Sequence, residues 1–198
     1  MDVEKFRYHE TVRREYRQRL GIENKLVVGH VGRFHEAKNH SFLLESFARL
    51  HEQQPDSVLL LVGDGELREE IEKKIAELGI GDSVVLTGNR SDVAELMQAM
   101  DLLAFPSKWE GLPVTVVEAQ AAGLPCLISD KITHDVDLSP LVHRLPIDIP
   151  EAWARAMAEP ASRQDVRENI ASAGFAIGES VQRLSGLYNK LWQESERR

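Results

Sequence analysis

One cysteine, Cys126, is all that this chain of 198 residues contains. A disulfide framework and a cysteine-built zinc site are therefore excluded within it. Cys126 falls in Leu124-Pro125-Cys126-Leu127-Ile128, which reads as a buried strand, so a structural thiol is expected rather than a nucleophile. Long apolar runs are missing too. No stretch reaches the roughly 20 residues a membrane-spanning helix needs, and no signal-peptide pattern is visible. A reducing, cytoplasmic setting is the expectation. Positive charge is outweighed: the formal net charge is −8, and no basic tract runs through the chain. That disfavours nucleic acid as a partner and broad attraction to anionic lipid. Neither a Gly-x-Gly-x-x-Gly run after the first strand nor a Gly-x-x-x-x-Gly-Lys-Ser/Thr loop occurs. The seven histidines are scattered without metal-ligand spacing, so no metal is expected. His30 reads as a core or sheet residue, and His35 and His40 flank the loop at Arg33.

What is present is a steady alternation. Hydrophobic residues make up 42%, ordinary for a globular chain of a length that suits one domain or one domain plus tails. Residues 2–24 read as an extended arm and then a helix over 9–20, stopped by Gly21. Arg13, Arg14, Arg17 and Arg19 on it read as a solvated face. Strands follow at Leu26–Val31, Val58–Val62, Val84–Leu86, Leu102–Phe105 and Cys126–Ile128, with a weaker one at Val142–Leu145. Helical spacing separates them, as in Leu43, Leu44, Phe47 and Leu50, or Leu67, Ile71, Ile75 and Leu78. Ser91 or Asp92 would cap a short helix, and Pro113 would open another. After Pro150 the pattern is helical, with breaks near Pro160 and from Gly174 to Gly178. Unbroken apolar strands alternating with helices imply an α/β fold, a doubly wound parallel sheet of Rossmann-like type.

Ligands of such sheets sit beyond the carboxyl ends of the strands. Four loops there carry candidate residues: Arg33 after the first strand, Gly63 after the second, Asn89 and Arg90 after the third, and Glu110 after the fourth. Lys38 lies at the end of the first loop. Glu110 and Glu118 are separated by seven residues, with Glu118 one to two turns into the helix that opens near Pro113. Cations neutralise phosphates, and carboxylates accept hydrogen bonds from vicinal hydroxyls. A helix N-terminus adds free N–H groups and a positive dipole. A phosphorylated, hydroxyl-rich ligand such as a nucleotide sugar carries both kinds of group. Spacing alone leaves open that the two glutamates are solvated surface residues.

Val28-Gly29-His30-Val31-Gly32-Arg33, Lys38-Asn39, Leu61-Val62-Gly63-Asp64-Gly65, Val85-Leu86-Thr87-Gly88, Pro106-Ser107, Glu110-Gly111-Leu112-Pro113 and Glu118-Ala119 follow one another in this order. Together they resemble the nucleotide-sugar-binding, C-terminal half of retaining glycosyltransferases of the GT-B architecture, in the group 1 or family 4 class. The resemblance is strong over residues 24–130 and looser in the last helices. It implies that Arg33 and Lys38 hold the donor diphosphate and stabilise the leaving nucleotide in place of a metal. It implies that Glu118 accepts both ribose hydroxyls and that Glu110 contacts the donor sugar near its reacting face. Backbone N–H groups at Gly111, Leu112 and Thr115 would meet sugar or phosphate at the helix start, Asn89 and Arg90 would lie along the base, and Gly32, Gly63 and Gly88 would belong to the same donor-binding site. The donor would be a nucleoside diphosphate sugar, uridine being the commonest base, and no separate cofactor is implied. Cell-surface polysaccharide or glycoconjugate synthesis is the implied setting.

The same resemblance implies a division into a linker arm and helix (1–23), a donor-binding domain (24–148) and C-terminal helices packing on it (149–198). Residues 2–6 look like an interdomain linker, so the chain is expected to be a fragment lacking its acceptor-binding domain and inactive alone. Membrane association, at the inner face, is expected only through that other half. The Pro-Glu-Ile/Val segment usual after the fifth strand is replaced by Thr133-His134-Asp135-Val136-Asp137. Leu184, Leu187, Leu191 and Trp192 on the last helix are expected to leave apolar surface partly exposed. Two other readings stay open: a nucleotide-sugar epimerase of the same architecture, and a non-enzymatic nucleotide-binding interaction domain. The latter lacks an acidic cluster at the end of the first strand, where Gly32-Arg33 stands.

Overall fold

Six parallel strands form one sheet: β1 (Leu26–Val31), β2 (Ser57–Val62), β3 (Val84–Leu86), β4 (Leu102–Phe105), β5 (Cys126–Ser129) and β6 (Val142–Leu145). A computed structural model describes residues 1–196 of the chain. The strand order is β3-β2-β1-β4-β5-β6, so the winding reverses between β1 and β4. That pair is joined in register at Val28 with Leu102 and Gly29 with Leu103. Between β1 and β2 the pairing runs the whole way from Leu26 with Ser57 to Val31 with Val62.

Successive strand residues face opposite sides, and this splits the core in two. Val27, Val31, Leu60, Leu103, Phe105, Cys126 and Ile128 face one layer. Val28, Leu59, Leu61, Ala104 and Leu127 face the other. The second layer is covered by α2 (His40–Gln53), α3 (Arg68–Glu77) and α6 (Pro150–Ala158). There Trp153 is fully buried, meets Phe42 edge-on at 5.6 Å and donates its indole N–H to Pro146 O at 2.8 Å. The first layer is covered by α4 (Val93–Ala99), α5 (Val114–Ala121) and the short α7 (Arg167–Ile170). Right-handed crossovers that run leftward and rightward from β1 and β4 must lie on opposite faces, which accounts for the two layers. Cys126 is buried, and burial pushes its thiol well above the usual range.

Three local expectations are corrected. The residues before α1 (Glu10–Leu20) are not a free extended arm, because Val3 and Phe6 are buried and Glu4–Phe6 makes a 3-10 turn. Pro113 is the residue before α5 rather than its first turn, with φ −75° and ψ 88°. Asp92 does precede α4, yet its carboxylate makes no capping bond. Arg90 and the Tyr16 hydroxyl claim it instead.

The arginine run of α1 is the larger correction. Arg14 and Arg19 are exposed, but Arg17 is 8% exposed. Arg13 and Arg17 both grip Asp101, at 2.5 and 2.6 Å, and donate to the carbonyls of Ala99 and Met100 at the end of α4. Asp101 also accepts the backbone N–H of Val27 at 2.8 Å. A charged face becomes a bolt because the terminus of α4 offers unpaired carbonyls and a negative dipole. The last helix, α8 (Ile177–Glu196), leaves Leu184, Leu187 and Trp192 exposed together with Ile177, Val181 and Tyr188. The side chain of Leu191 lies outside the described residues.

Removing Asp101 would leave two largely buried guanidinium groups without their carboxylate. Asp101→Ala is expected to cost about 2–4 kcal/mol, near the range for breaking a buried ion pair. Asp101→Asn, which keeps acceptor capacity, should cost less. A urea melt of each variant checks the order, with an unchanged slope showing that the unfolded state is the same.

Candidate functional site

The crevice at the reversal between β1 and β4 is where an open parallel sheet leaves room for a ligand. Two loops meet over it. The β1 loop carries Gly32, Arg33 and a 3-10 turn at Glu36–Lys38. Its tightness needs Asn39 at φ 56°, an unusual conformation for a residue other than glycine. The β4 loop carries Ser107, Lys108 and Glu110. They are tied by the N–H of Lys108 donating to Ala37 O at 2.8 Å and by Lys108 Nζ at 3.1 Å from Glu36.

The central contact is Lys38 Nζ donating to Glu110 Oε1 at 2.6 Å, with the two side chains only 17% and 15% exposed. Lys38 Nζ also lies 4.4 Å from the centre of the Phe105 ring, an arrangement in which the ring face attracts the cation. Arg33 is more open. Its guanidinium, 72% exposed, meets Glu66 at 3.1 Å, and His35 Nε2 stands 3.6 Å from the same carboxylate. Exposed pairs of this kind contribute little, so Arg33 is easily released to another anion.

Beside Arg33 opens a cleft of about 650 Å³, lined by Gly32, Gly63, Asp64, Gly65, Asn89 and Arg90 among others. Glycine is required at Gly63. Its φ is +140°, and a Cβ there would stand 2.0 Å from Gly32 O. Its N–H donates to Gly88 O at 3.0 Å, so the three loop ends are packed backbone on backbone. Arg90 is held by Asp92 at 2.6 Å, and that bond keeps the Asp92 carboxyl down at about 2.

The structure thus gathers Gly32, Arg33, Gly63, Asn89 and Arg90 in one cleft, with Gly88 bonded to its floor, and Lys38 with Glu110 in a pair at the crevice. Gly111 and Leu112 are exposed and Thr115 half-buried, on the loop and first turn leading into α5. Glu118 is not brought into contact with either group. It sits half-buried on α5, where burial raises its carboxyl while the Lys5 ammonium and the amino terminus pull it back. Sequence reasoning missed Glu66, Asp92 and Phe105 as partners of the cations. Glu66 follows Gly63-Asp64-Gly65 directly, and an acidic residue on the same rim was the available signal. It also missed the buried pair under Lys38. His30 and His40 meet edge-on at 4.7 Å, and burial is the main cause that lowers them from 6.5 to about 4 and about 2. Among the described residues no group of three or more His, Cys, Asp or Glu is placed to hold a metal ion. No helix among them is long and apolar enough to cross a membrane.

Comparison with known proteins decides the family. The family model for glycosyl transferases group 1 matches residues 12–176. The chain belongs to the group 1 glycosyltransferases. Its fold is that of their C-terminal domain in the GT-B architecture. The EpsF protein of Bacillus subtilis (strain 168) is 40% identical over 197 residues, which cover 96% of this chain and 51% of EpsF. The UDP-Gal:alpha-D-GlcNAc-diphosphoundecaprenol alpha-1,3-galactosyltransferase of Escherichia coli is 36% identical, over 56% of this chain and 30% of that enzyme. The chain spans about half or less of the length of these relatives. Among solved structures, Anabaena HepE in complex with UDP and glucose superposes with a TM-score of 0.82 at 24% identity, over 96% of this chain and 55% of HepE. The C-terminal domain of the group 1 protein LpcC from Francisella tularensis superposes at 0.67 and 16% identity, over 89% of this chain and 99% of that domain.

The two histidines carry a pH dependence. Unfolded, they take up protons near 6.5; folded, only near 4 and 2. The unfolded state therefore binds more protons once the pH drops below about 6.5, and stability falls from there toward pH 4. Denaturant midpoints of the wild-type chain should decline over that window. In His40→Phe the decline should be shallower, whatever the midpoint at neutral pH.

Proposed function

We propose that this chain is the donor-binding domain of a retaining glycosyltransferase that moves a sugar from a nucleoside diphosphate to an acceptor hydroxyl. The observation that carries the reading is the Lys38–Glu110 pair, set at the reversal of the sheet with the Arg33 cleft beside it. A cation and a carboxylate already in contact, 2.6 Å apart, match adjoining phosphate and sugar. Arg33 offers a planar fork of donors and Lys38 a point charge. Both would stabilise charge on the departing diphosphate, which is how such a barrier is chiefly lowered. Glu110 would accept hydrogen bonds from the sugar. Glu118, half-buried and with no side chain paired to it among the described residues, would take the ribose hydroxyls. Gly32, Gly63, Gly88, Asn89 and Arg90 would receive the nucleoside, and the backbone at Gly111, Leu112 and Thr115 would meet phosphate or sugar. No metal is part of this reading.

A uridine donor is supported by the UDP in the HepE structure and the UDP-galactose in the Escherichia coli enzyme's name. Polysaccharide or glycoconjugate synthesis, on the cytoplasmic side of the membrane, goes with the same reading. The acceptor and the other half of the cleft belong to the part of its relatives that this chain does not span.

Calorimetry with UDP tests the clamp. Arg33→Ala and Lys38→Ala should each weaken UDP by about 1.5–3 kcal/mol, the range for hydrogen bonds to charged groups, and leave uridine unchanged. Equal losses for uridine and UDP would show that neither residue meets phosphate.

The glutamates are separable in the same experiment. Glu118→Gln should weaken UDP and UDP-glucose alike, because the amide loses the charge that strengthens both ribose bonds. Glu110→Gln should weaken UDP-glucose more than UDP. Variants that behave identically, or both like wild type, show that the two glutamates do not have the separate roles assigned here. An interaction module without transferase chemistry would show no preference for the sugar-bearing ligand.

A further inference from the structure

Close to the crevice, several buried polar atoms have no partner: Nε2 of His30, both ring nitrogens of His40 and Oγ of Ser107. Such atoms are rare in folded proteins, and each requires an explanation. For His30 the chemistry is determined. Its Nδ1 lies 2.9 Å from Ala104 O, which can only accept, so Nδ1 carries the hydrogen. In the neutral ring Nε2 is then a bare lone pair, sealed in a residue of 0% exposure.

Lys38 and that lone pair border the same small space beside Gly32. The point where a Cβ on Gly32 would stand is 3.1 Å from Lys38 Cε and 3.5 Å from His30 Nε2. The His30 ring is stacked 5.5 Å from Phe105, the same ring over which the ammonium sits. The lysine therefore has two acceptors in its neighbourhood, Glu110 and His30 Nε2. Glu110 holds it now, and His30 Nε2 is vacant behind it.

We propose that His30 is a positioning residue for Lys38, its Nε2 lone pair being a second seat for the ammonium when Glu110 turns to the donor sugar. The inference rests on the donor-binding reading above. An ammonium has three donors on a flexible stem. With one N–H on His30, the other two remain for the diphosphate, and the cation stays in the crevice after its carboxylate has left. No proton is transferred. Gly32 belongs to the device, because a methyl group there would crowd both Lys38 and His30.

Two experiments decide it. The first needs no ligand. In Glu110→Ala the carboxylate is gone, so Lys38 Nζ should move to within hydrogen-bond distance of His30 Nε2. A crystal structure of the variant shows the distance, and the 15N resonance of His30 Nε2 should move against wild type. An ammonium that swings into solvent, or an unmoved resonance, overturns the proposal. The second compares His30→Asn and His30→Gln by calorimetry with UDP and UDP-glucose. Asn keeps an N–H for Ala104 O but puts nothing at the Nε2 position. Gln places a carbonyl oxygen there and gives up the Ala104 bond. The expected result is an affinity loss of about tenfold for UDP-glucose in Asn, the scale of one hydrogen bond to a charged group. UDP should change little, and Gln should bind close to wild type. A merely structural histidine gives the reverse order, with Asn like wild type and Gln weak for both ligands. If wild type binds neither UDP nor UDP-glucose, the donor reading fails, and the position of Lys38 in Glu110→Ala still decides the role of His30.

Discussion

The seam between β1 and β4 is held by charge at both ends, and the rest of the molecule is arranged around it. At its amino end Asp101 takes Arg13, Arg17 and the N–H of Val27. At its carboxyl end Lys38 takes Glu110. Between them the strands are paired at only two positions. A parallel sheet that winds outward both ways from one pair of strands cannot cover that pair's carboxyl end with a crossover helix. The opening is a consequence of topology, and the Lys38–Glu110 pair joins the two loops over it.

The two ends differ in what they permit. Asp101 is bound by two guanidinium groups and a backbone amide, beside carbonyls at the end of α4 that also accept from Arg163. Its partners have nowhere better to go, and the contact is structural. Lys38 and Glu110 form a one-to-one pair at the rim, each with a side chain long enough to turn to a ligand. The same chemistry therefore holds the fold at one end and leaves a pair able to turn at the other. The number of partners and the loss of water decide which. Arg33 with Glu66 is a third case, exposed enough that solvent already competes for both.

Most of the fold was legible in the sequence. Unbroken runs such as Val58–Val62 read as doubly covered strands, and all six strands lie where the pattern placed them, to within a residue at either end. Of the site, the loop residues were legible as types and positions. Their pairings were not, because Lys38 and Glu110 are 72 positions apart and no local spacing encodes a contact across two strands. The arginines of α1 were misread for the same reason. Helical periodicity shows which residues share a face, whereas the carbonyls at the end of α4 that give that face its purpose are over eighty positions away.

By itself the sequence determined the alternation of strands and helices, the absence of a basic tract and of cysteine ligands, and the residue types at each loop. These follow from local periodicity and composition, which depend on near neighbours alone. The tertiary structure decided which of the cations is buried and which is exposed. It set a bare His30 lone pair near Lys38, since Ala104 comes from β4 and Lys38 from the loop after β1, and only their packing sets the tautomer and the spacing. It also kept Glu118 apart from the Lys38–Glu110 pair, because a helix and the loop before it can aim neighbouring residues in different directions.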